Sequence, residues 1–313
     1  MRKREARAEA AFAARSAAVT YSSAAGPREA PRSVIANGLR FAYLESGTGP
    51  LVLLLHGFPD DAYSFDGVQP AIAAAGYRTV APFLRGYYPS DIAPDGDYSP
   101  LTIGRDVLAL IDALGERDAV VIGHDWGAIA GFLAASLAPE RLRRLVSIGI
   151  PHARALLPTP RVIWRARHFL YFVLPWAPRT VRRGGMRYVE RLYQRWSPNW
   201  SPPAEHVERI KAAFSLPGRV EAAIDYYHDV AGTVLRRSSR RVLLRPTEVP
   251  TLAIEGSEDG AVSPKTMAAS AKHFRRGYRL IVVPGAGHFV HCERPAEVTA
   301  AILDWLASPL SRS

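Results

Sequence analysis

In the run Val120-Val121-Ile122-Gly123-His124-Asp125-Trp126-Gly127-Ala128, a carboxylate stands at a corner where an apolar strand gives way to a helix. Gly123 and Gly127 relieve the crowding of such a corner, so the residue between them is exposed at the edge of a sheet, where a nucleophile can reach a substrate. Serine is the usual occupant of such an elbow. Taken alone, Asp125 is equally the residue a helix start favours as its N-cap, a role worth about 1 kcal/mol.

Two further loops change that balance. Pro284-Gly285-Ala286-Gly287-His288 follows an apolar strand, which puts His288 at the carboxyl edge of the sheet, where open α/β sheets place their sites. His291 competes three residues on, but His288 directly follows the glycine-rich turn. Gly256-Ser257-Glu258-Asp259 follows the strand Thr251 to Glu255, and offers Asp259 as an acid to orient the histidine, with Glu258 as the near alternative. The chain order is nucleophile, acid, histidine. His56-Gly57-Phe58-Pro59 after another apolar strand offers the backbone N–H of Phe58 to an oxyanion hole, with the N–H of Trp126 as the second donor.

The elements that must hold these groups alternate. Strands are expected at Ser33 to Ala36, Leu39 to Glu45, Pro50 to Leu55, Tyr77 to Ala81, Ala119 to Gly123, Leu142 to Ile150, Pro250 to Glu255 and Tyr278 to Val283. Helices are expected at Phe65 to Ala75, Thr102 to Leu114, Trp126 to Ala138 and Ala296 to Leu306. Strands apolar on both faces, alternating with helices, imply a mostly parallel sheet covered on both sides, an α/β class. From Pro151 to about Leu243 the alternation stops. That stretch is rich in Pro, Arg and aromatics, with helical pieces near Val162 to Leu174, Gly185 to Trp196, Glu205 to Phe214 and Gly218 to Val234. The reading is a core of residues 33–150 and 244–313 with a helical cap, residues 151–243, inserted in it, and residues 1–32 as an unstructured Ala- and Arg-rich leader.

Composition sets the outer bounds. With 313 residues, 48% of them hydrophobic, the chain can bury a full core. No apolar stretch approaches the roughly 20 residues that cross a bilayer, so membrane insertion is not expected. The net charge of +11 raises a nucleic-acid reading, but the arginines lie among Trp, Tyr and Pro in the cap, without a binding motif, and nucleic acid is set aside. Glu5, Glu9 and Arg15 interrupt the apolar region an export signal requires, and the single Cys292 can form no internal disulfide. A cytoplasmic protein is expected.

The motifs HGFP at His56 to Pro59, RGYYPSD at Arg85 to Asp91, GHDWGA at Gly123 to Ala128 and GAGHFVHCERP at Gly285 to Pro295 resemble the epoxide hydrolase and haloalkane dehalogenase branch of the α/β-hydrolase superfamily. The resemblance runs from Ser33 to the C-terminus and is weakest in the cap. It implies the α/β-hydrolase fold, attack of Asp125 on a saturated carbon to give an alkyl ester, and hydrolysis of that ester by His288 with Asp259. Aspartate suits this chemistry because its ester can be cleaved at a carbonyl, whereas a serine would give an ether. No cofactor and no metal are implied.

Phe58 favours the epoxide reading, since haloalkane dehalogenases usually carry Asn or another polar residue there; Trp126 serves both groups. It also stands where a fluoroacetate dehalogenase would want arginine. Epoxide hydrolases usually place two cap tyrosines over the nucleophile. The resemblance puts the second at Tyr227, with Tyr226 as the alternative. At the first it finds His168, a departure from the two-tyrosine pattern that retains an N–H donor; a structural cap histidine is the competing reading, with Tyr171 then the donor. Phe58, Trp126 and Tyr171 are the expected substrate contacts, and Trp164, Phe169, Phe172 and Trp176 form an apolar cap surface or core. The expected activity is conversion of a small apolar epoxide, with water, to a vicinal diol. Dehalogenation of a haloalkane or haloacid and an inactive binding protein are the alternatives, and a homodimer is left open.

Overall fold

A computed structural model describes residues 30–156 and 158–309. Residues 1–29, most of the expected leader, lie outside them, and β1 begins at Arg32. Eight strands form one sheet: β1 (Arg32–Ala36), β2 (Leu39–Ser46), β3 (Leu51–Leu55), β4 (Arg78–Pro82), β5 (Ala119–His124), β6 (Leu142–Ile148), β7 (Thr251–Gly256) and β8 (Tyr278–Val283). Their order is β1-β2-β4-β3-β5-β6-β7-β8; β2 runs antiparallel to both its neighbours, and the other pairs are parallel. β3, β5 and β7 are buried along their whole length, as strands covered on both faces must be.

Twelve α-helices are described: α1 (Gln69–Ala74), α2 (Pro100–Ala113), α3 (Trp126–Leu137), α4 (Pro160–Arg165), α5 (Arg167–Phe172), α6 (Ala177–Trp196), α7 (Ala204–Ser215), α8 (Arg219–Leu235), α9 (Arg237–Leu243), α10 (Pro264–Ala269), α11 (Val290–Glu293) and α12 (Pro295–Ala307). Helices α4 to α9 fill the excursion between β6 and β7. The helix expected over Phe65 to Ala75 is shorter. Ala62–Phe65 is a 3-10 turn capped by the Asp61 side chain, and α1 starts beyond it with proline in its first turn. The helix expected from Gly185 extends back to Ala177 but is broken at Arg183–Met186, where Gly184 and Gly185 take left-handed backbone angles and cannot continue the helix.

Register aligns the strand ends. Leu55 pairs with Gly123 and His124 with Ile148, so the loops after β3, β5, β7 and β8 gather at one edge of the sheet, beneath α5 and α8. Among the described residues, no helix is long and apolar enough to cross a membrane.

Candidate active site

Asp125 lies between β5 and α3 with φ 49° and ψ −117°, a conformation L-residues rarely adopt. The flanking glycines are required by contact. A Cβ on Gly123 would come within 2.3 Å of the Gly127 carbonyl oxygen, and one on Gly127 within 2.0 Å of the Leu55 oxygen. The Asp125 side chain makes no N-cap hydrogen bond, so the capping alternative does not describe it. Instead Oδ1 accepts the Phe58 backbone N–H at 2.9 Å.

The second carboxylate oxygen faces His288. Nε2 of that ring is 3.7 Å from Asp125 Oδ2, and Nδ1 is 2.7 Å from Asp259 Oδ2. Asp259 is fixed in turn, its Oδ1 accepting the N–H groups of Ala261 at 2.6 Å and Val262 at 2.8 Å. Glu258 is exposed, and its Oε1 accepts the Ser257 hydroxyl; it takes no part in the cluster. His291 is also apart, packed on Phe65 and His124.

Charge pairing governs this trio. Burial alone would push the His288 imidazolium down, but the charge of Asp259 and the closeness of both carboxylates outweigh it and push the ring up to about 10. Asp125 and Asp259, which burial would raise, are held below the usual carboxylate range by His288, by the Phe58 N–H at Asp125 and the Val262 N–H at Asp259. These shifts favour an imidazolium between two carboxylates as the resting form.

Of the two expected oxyanion donors, Phe58 N–H already points at Asp125. The N–H of Trp126 opens α3 and finds no acceptor among the described residues, one of the donors that a helix start leaves free. A Cβ at Gly57 would stand 2.3 Å from that of Asp125, so only glycine lets the His56–Pro59 turn come this close.

From the insertion, α8 contributes Tyr227 and α5 contributes His168. The Tyr227 ring packs edge-on against Trp126 at 4.9 Å and Phe58 at 5.7 Å, and its buried hydroxyl has no hydrogen-bond partner among the described residues. Burial, then the charge of Asp125, holds that phenol well above its usual value. Tyr226, the alternative, donates its hydroxyl to the Arg85 carbonyl at 2.8 Å and is committed to the core. His168 is buried 6.0 Å from the Tyr227 ring, and burial pushes it down to about 4 against the opposing pull of Asp125. Its Nδ1 lies 3.2 Å from the Arg165 carbonyl. An oxygen that only accepts requires the hydrogen on Nδ1, which leaves Nε2 as a lone pair in the neutral ring. Of the expected substrate contacts and donors, Phe58, Trp126, Tyr171 and Tyr227 do not line the cavity described below, and Tyr171 is stacked on Tyr188 at 5.5 Å. Phe172 is core, whereas Trp164 and Trp176 are exposed.

Asp125, His168 and His288 border a cavity of about 390 Å³, otherwise lined largely by apolar side chains, including Ile129, Phe132, Phe169 and Val262. It extends from Asp125 along α3 towards the ends of α8 and α9; Phe58, Phe172 and Phe214 pack together on the other side.

Two buried features escape the sequence reading. Glu255, the fifth residue of β7, is fully buried beside Asp259; burial, then the charge of Asp259, holds its carboxyl well above the usual range, so it is a neutral acid. An acid inside an otherwise apolar strand was the signal. Asp60, directly after the HGFP turn, accepts the Tyr193 hydroxyl at 2.7 Å and pairs with His206 at 2.6 Å, tying α6 and α7 to the site. Among the described residues, one group of three could share a metal ion, Asp60, His291 and Cys292, with ligand atoms within 4.8 Å of one another; it does not border the cavity.

Residues 50–295 match the family described as the alpha/beta hydrolase fold. The AB hydrolase superfamily protein YfhM of Bacillus subtilis is 33% identical over 279 residues, covering 86% of this chain and 95% of its own length. Epoxide hydrolase A of Mycobacterium tuberculosis is 31% identical, covering 88% and 96%. The crystal structure of Epoxide Hydrolase A from Mycobacterium thermoresistibile superimposes with a TM-score of 0.77 at 28% identity, over 88% of this chain and 98% of that one. With an aspartate at the elbow, a histidine and an acid behind it and a helical insertion above, the chain belongs to the α/β-hydrolase fold family, in the branch that includes the epoxide hydrolases.

Proposed function

We propose that this protein is an epoxide hydrolase that converts a small apolar epoxide to a vicinal diol through an alkyl ester on Asp125. The observation that carries the reading is the Asp125 carboxylate, held by the Phe58 N–H on Oδ1 with Oδ2 turned to the cavity side near His288. Relatives named epoxide hydrolases support it.

Asp125 Oδ2 attacks an epoxide carbon, the ring C–O bond breaks, and the oxygen leaves as an alkoxide that takes the Tyr227 proton. Tyr227 suits this work because its phenol is held well above its usual pKa, so it stays protonated, and its hydroxyl meets no acceptor at hydrogen-bond geometry among the described residues, with the Trp126 indole beside it. His168 is the second donor. It serves through Nε2 when the ring exchanges tautomer, at the cost of its long contact to Arg165. The imidazolium of His288 returns a proton to Tyr227. Esterification removes the charge on Asp125 that stabilised this imidazolium, so the proton is released as the ester forms.

Neutral His288 then takes a proton from water, the hydroxide adds to the Asp125 carbonyl carbon, and the N–H groups of Phe58 and Trp126 hold the oxyanion. Collapse expels the alkoxide carrying the former Oδ2, which takes the proton His288 gained from water and leaves as the diol. The Asp125 carboxyl, now holding an oxygen from water, passes its own proton to His288, which restores the carboxylate and the imidazolium. Asp259 keeps the His288 tautomer fixed throughout. We place the enzyme in the cytoplasm. A panel of aryl and alkyl epoxides and haloalkanes, assayed for diol and for halide, tests the function: diol without halide is expected, and halide release with every epoxide untouched overturns it.

A further inference from the structure

The outer surface of the insertion is apolar where solvent-facing helices are ordinarily polar. Ile163, Trp164, Leu170, Val173 and Trp176 are all exposed, Trp164 by 66% and Leu170 by 63%. Trp164, Arg167, Leu170, Val173 and Trp176 recur at every third position along α4, α5 and the turn beyond, and Arg167 lies over the Trp164 ring at 4.1 Å. The same two helices line the cavity through Val162, Arg165, Ala166, His168 and Phe169. Leu156 and Val234 line the cavity and are themselves 46% and 41% exposed, and Leu235, next to Val234, is 81% exposed.

Two stretches of the insertion carry charge almost entirely of one sign. Residues 151–196 hold ten arginines and a single acid, Glu190, and residues 236–245 hold five arginines and no acid. Arg179, Arg183, Arg187, Arg237 and Arg241 are exposed and form no ion pair among the described residues. Exposed tryptophan and leucine accompanied by unpaired arginine are the composition of a surface that lies in the interface of an anionic bilayer. A second copy fits worse, because an isologous contact would set each arginine-rich rim against another. Nucleic acid would leave Ile163, Leu170 and Val173 without a counterpart.

We propose that this face of the insertion docks on an anionic lipid bilayer, bringing the cavity mouth onto the membrane surface so that apolar substrate dissolved in the lipid enters directly. Docking stands on the surface alone; the entry of substrate rests on the cavity being the epoxide site. No helix crosses the membrane in this arrangement; the strip reaches only the headgroup boundary.

The full-length protein is sedimented with phosphatidylcholine vesicles with and without phosphatidylglycerol, and its tryptophan emission is followed. Binding is expected only with phosphatidylglycerol, weakening as salt rises, with a blue shift of tryptophan emission. Each arginine near an anionic surface contributes about fivefold to partitioning, so Arg237→Glu with Arg241→Glu lowers the partition coefficient at least about tenfold. Trp164→Ser with Leu170→Ser lowers it comparably, and both double variants keep wild-type turnover of a short water-soluble epoxide. Vesicles carrying a long-chain epoxide are turned over several-fold faster by the wild type than by either variant.

Absence of binding, or equal binding to both vesicle types, overturns the proposal. So does a dimer in light scattering that Trp164→Ser with Leu170→Ser disperses, tighter binding of a DNA duplex than of vesicles, or vesicle binding that survives both double variants and is lost on removing residues 1–29. Should vesicles bind as expected while no epoxide of any length is hydrolysed, the enzymatic reading fails and the docking surface remains.

Discussion

His288 Nε2 stands 3.7 Å from Asp125 Oδ2, beyond hydrogen-bond length, while its Nδ1 is 2.7 Å from Asp259. The ring is therefore anchored on its far side and open on its near side. A histidine bonded directly to the nucleophile is built to deprotonate it. A carboxylate needs no deprotonation, and the open nitrogen can instead address a water aimed at the Asp125 carbonyl carbon.

This division of labour predicts that the two halves of the reaction separate by mutation. Asp125→Ala abolishes turnover. His288→Gln still forms the ester but hydrolyses it at least about a thousandfold more slowly, and mass spectrometry of the intact variant then shows one substrate added to Asp125. In a single wild-type turnover in 18O-water, the label enters Asp125 and not the diol. Label in the diol, or a His288→Gln protein that never carries adduct, sinks the covalent route.

The same geometry makes the His288 pKa depend on the nucleophile. In the free enzyme the two carboxylates hold the ring up to about 10. Asp125→Asn keeps the shape, removes one charge, and mimics the charge state of the ester. The imidazolium should then titrate at lower pH than in wild type, as read by its ring resonances in NMR. An unchanged or higher value would mean that esterification releases no proton.

Asp259→Asn is expected to slow ester hydrolysis by about three to four orders of magnitude, because the amide can hold the wrong imidazole tautomer. Glu258→Gln should leave the rate unchanged, since Glu258 is exposed. Glu255 is the subtler case. As a neutral acid beside Asp259 it is replaced by Gln without change of charge, so Glu255→Gln should keep the rate within about threefold and leave the pH profile in place. A tenfold loss with a shifted profile would show that Glu255 carries a charge or a mobile proton.

How far the sequence reveals these groups follows from what each signal depends on. The central strands β3, β5 and β7 are legible because burial on both faces demands apolar runs such as Leu51–Leu55, and because those runs end in Gly or polar residues. Asp125, Asp259 and His288 are legible as chemistry because each lies in the loop that follows an apolar strand. Glu255 is not, because one acid in a strand reads as its polar end, and only the fold shows that it faces Asp259. The insertion is the hardest part. Its helices pack on one another and on α2 and α3, so apolar spacing there does not distinguish Tyr171, stacked on Tyr188, from Tyr227 beside Trp126. The break in α6 depends on three successive left-handed residues, of which only Gly184 and Gly185 are signalled by type.

The donor pair gives the last prediction, and its pH dependence follows from two opposite shifts. Burial holds the Tyr227 phenol well above its usual value, so it stays a donor across the working range. Burial holds His168 down at about 4, so at neutral pH it is uncharged, with Nδ1–H on the Arg165 carbonyl and a lone pair on Nε2. Its contribution to ring opening must rise as pH falls towards 4, where the ring gains a proton on Nε2, and at neutral pH it depends on tautomer exchange. Tyr227→Phe should therefore suppress ester formation by at least about a hundredfold at pH 7, with the deficit narrowing under acid in single-turnover kinetics. His168→Ala should cost far less at pH 7 and should flatten the acid side of the remaining activity. His168→Tyr keeps activity and loses the acid rise, because its hydroxyl donates without titrating. If Tyr227→Phe with His168→Ala still opens epoxides at the wild-type rate, neither residue is the donor, and another group supplies the proton.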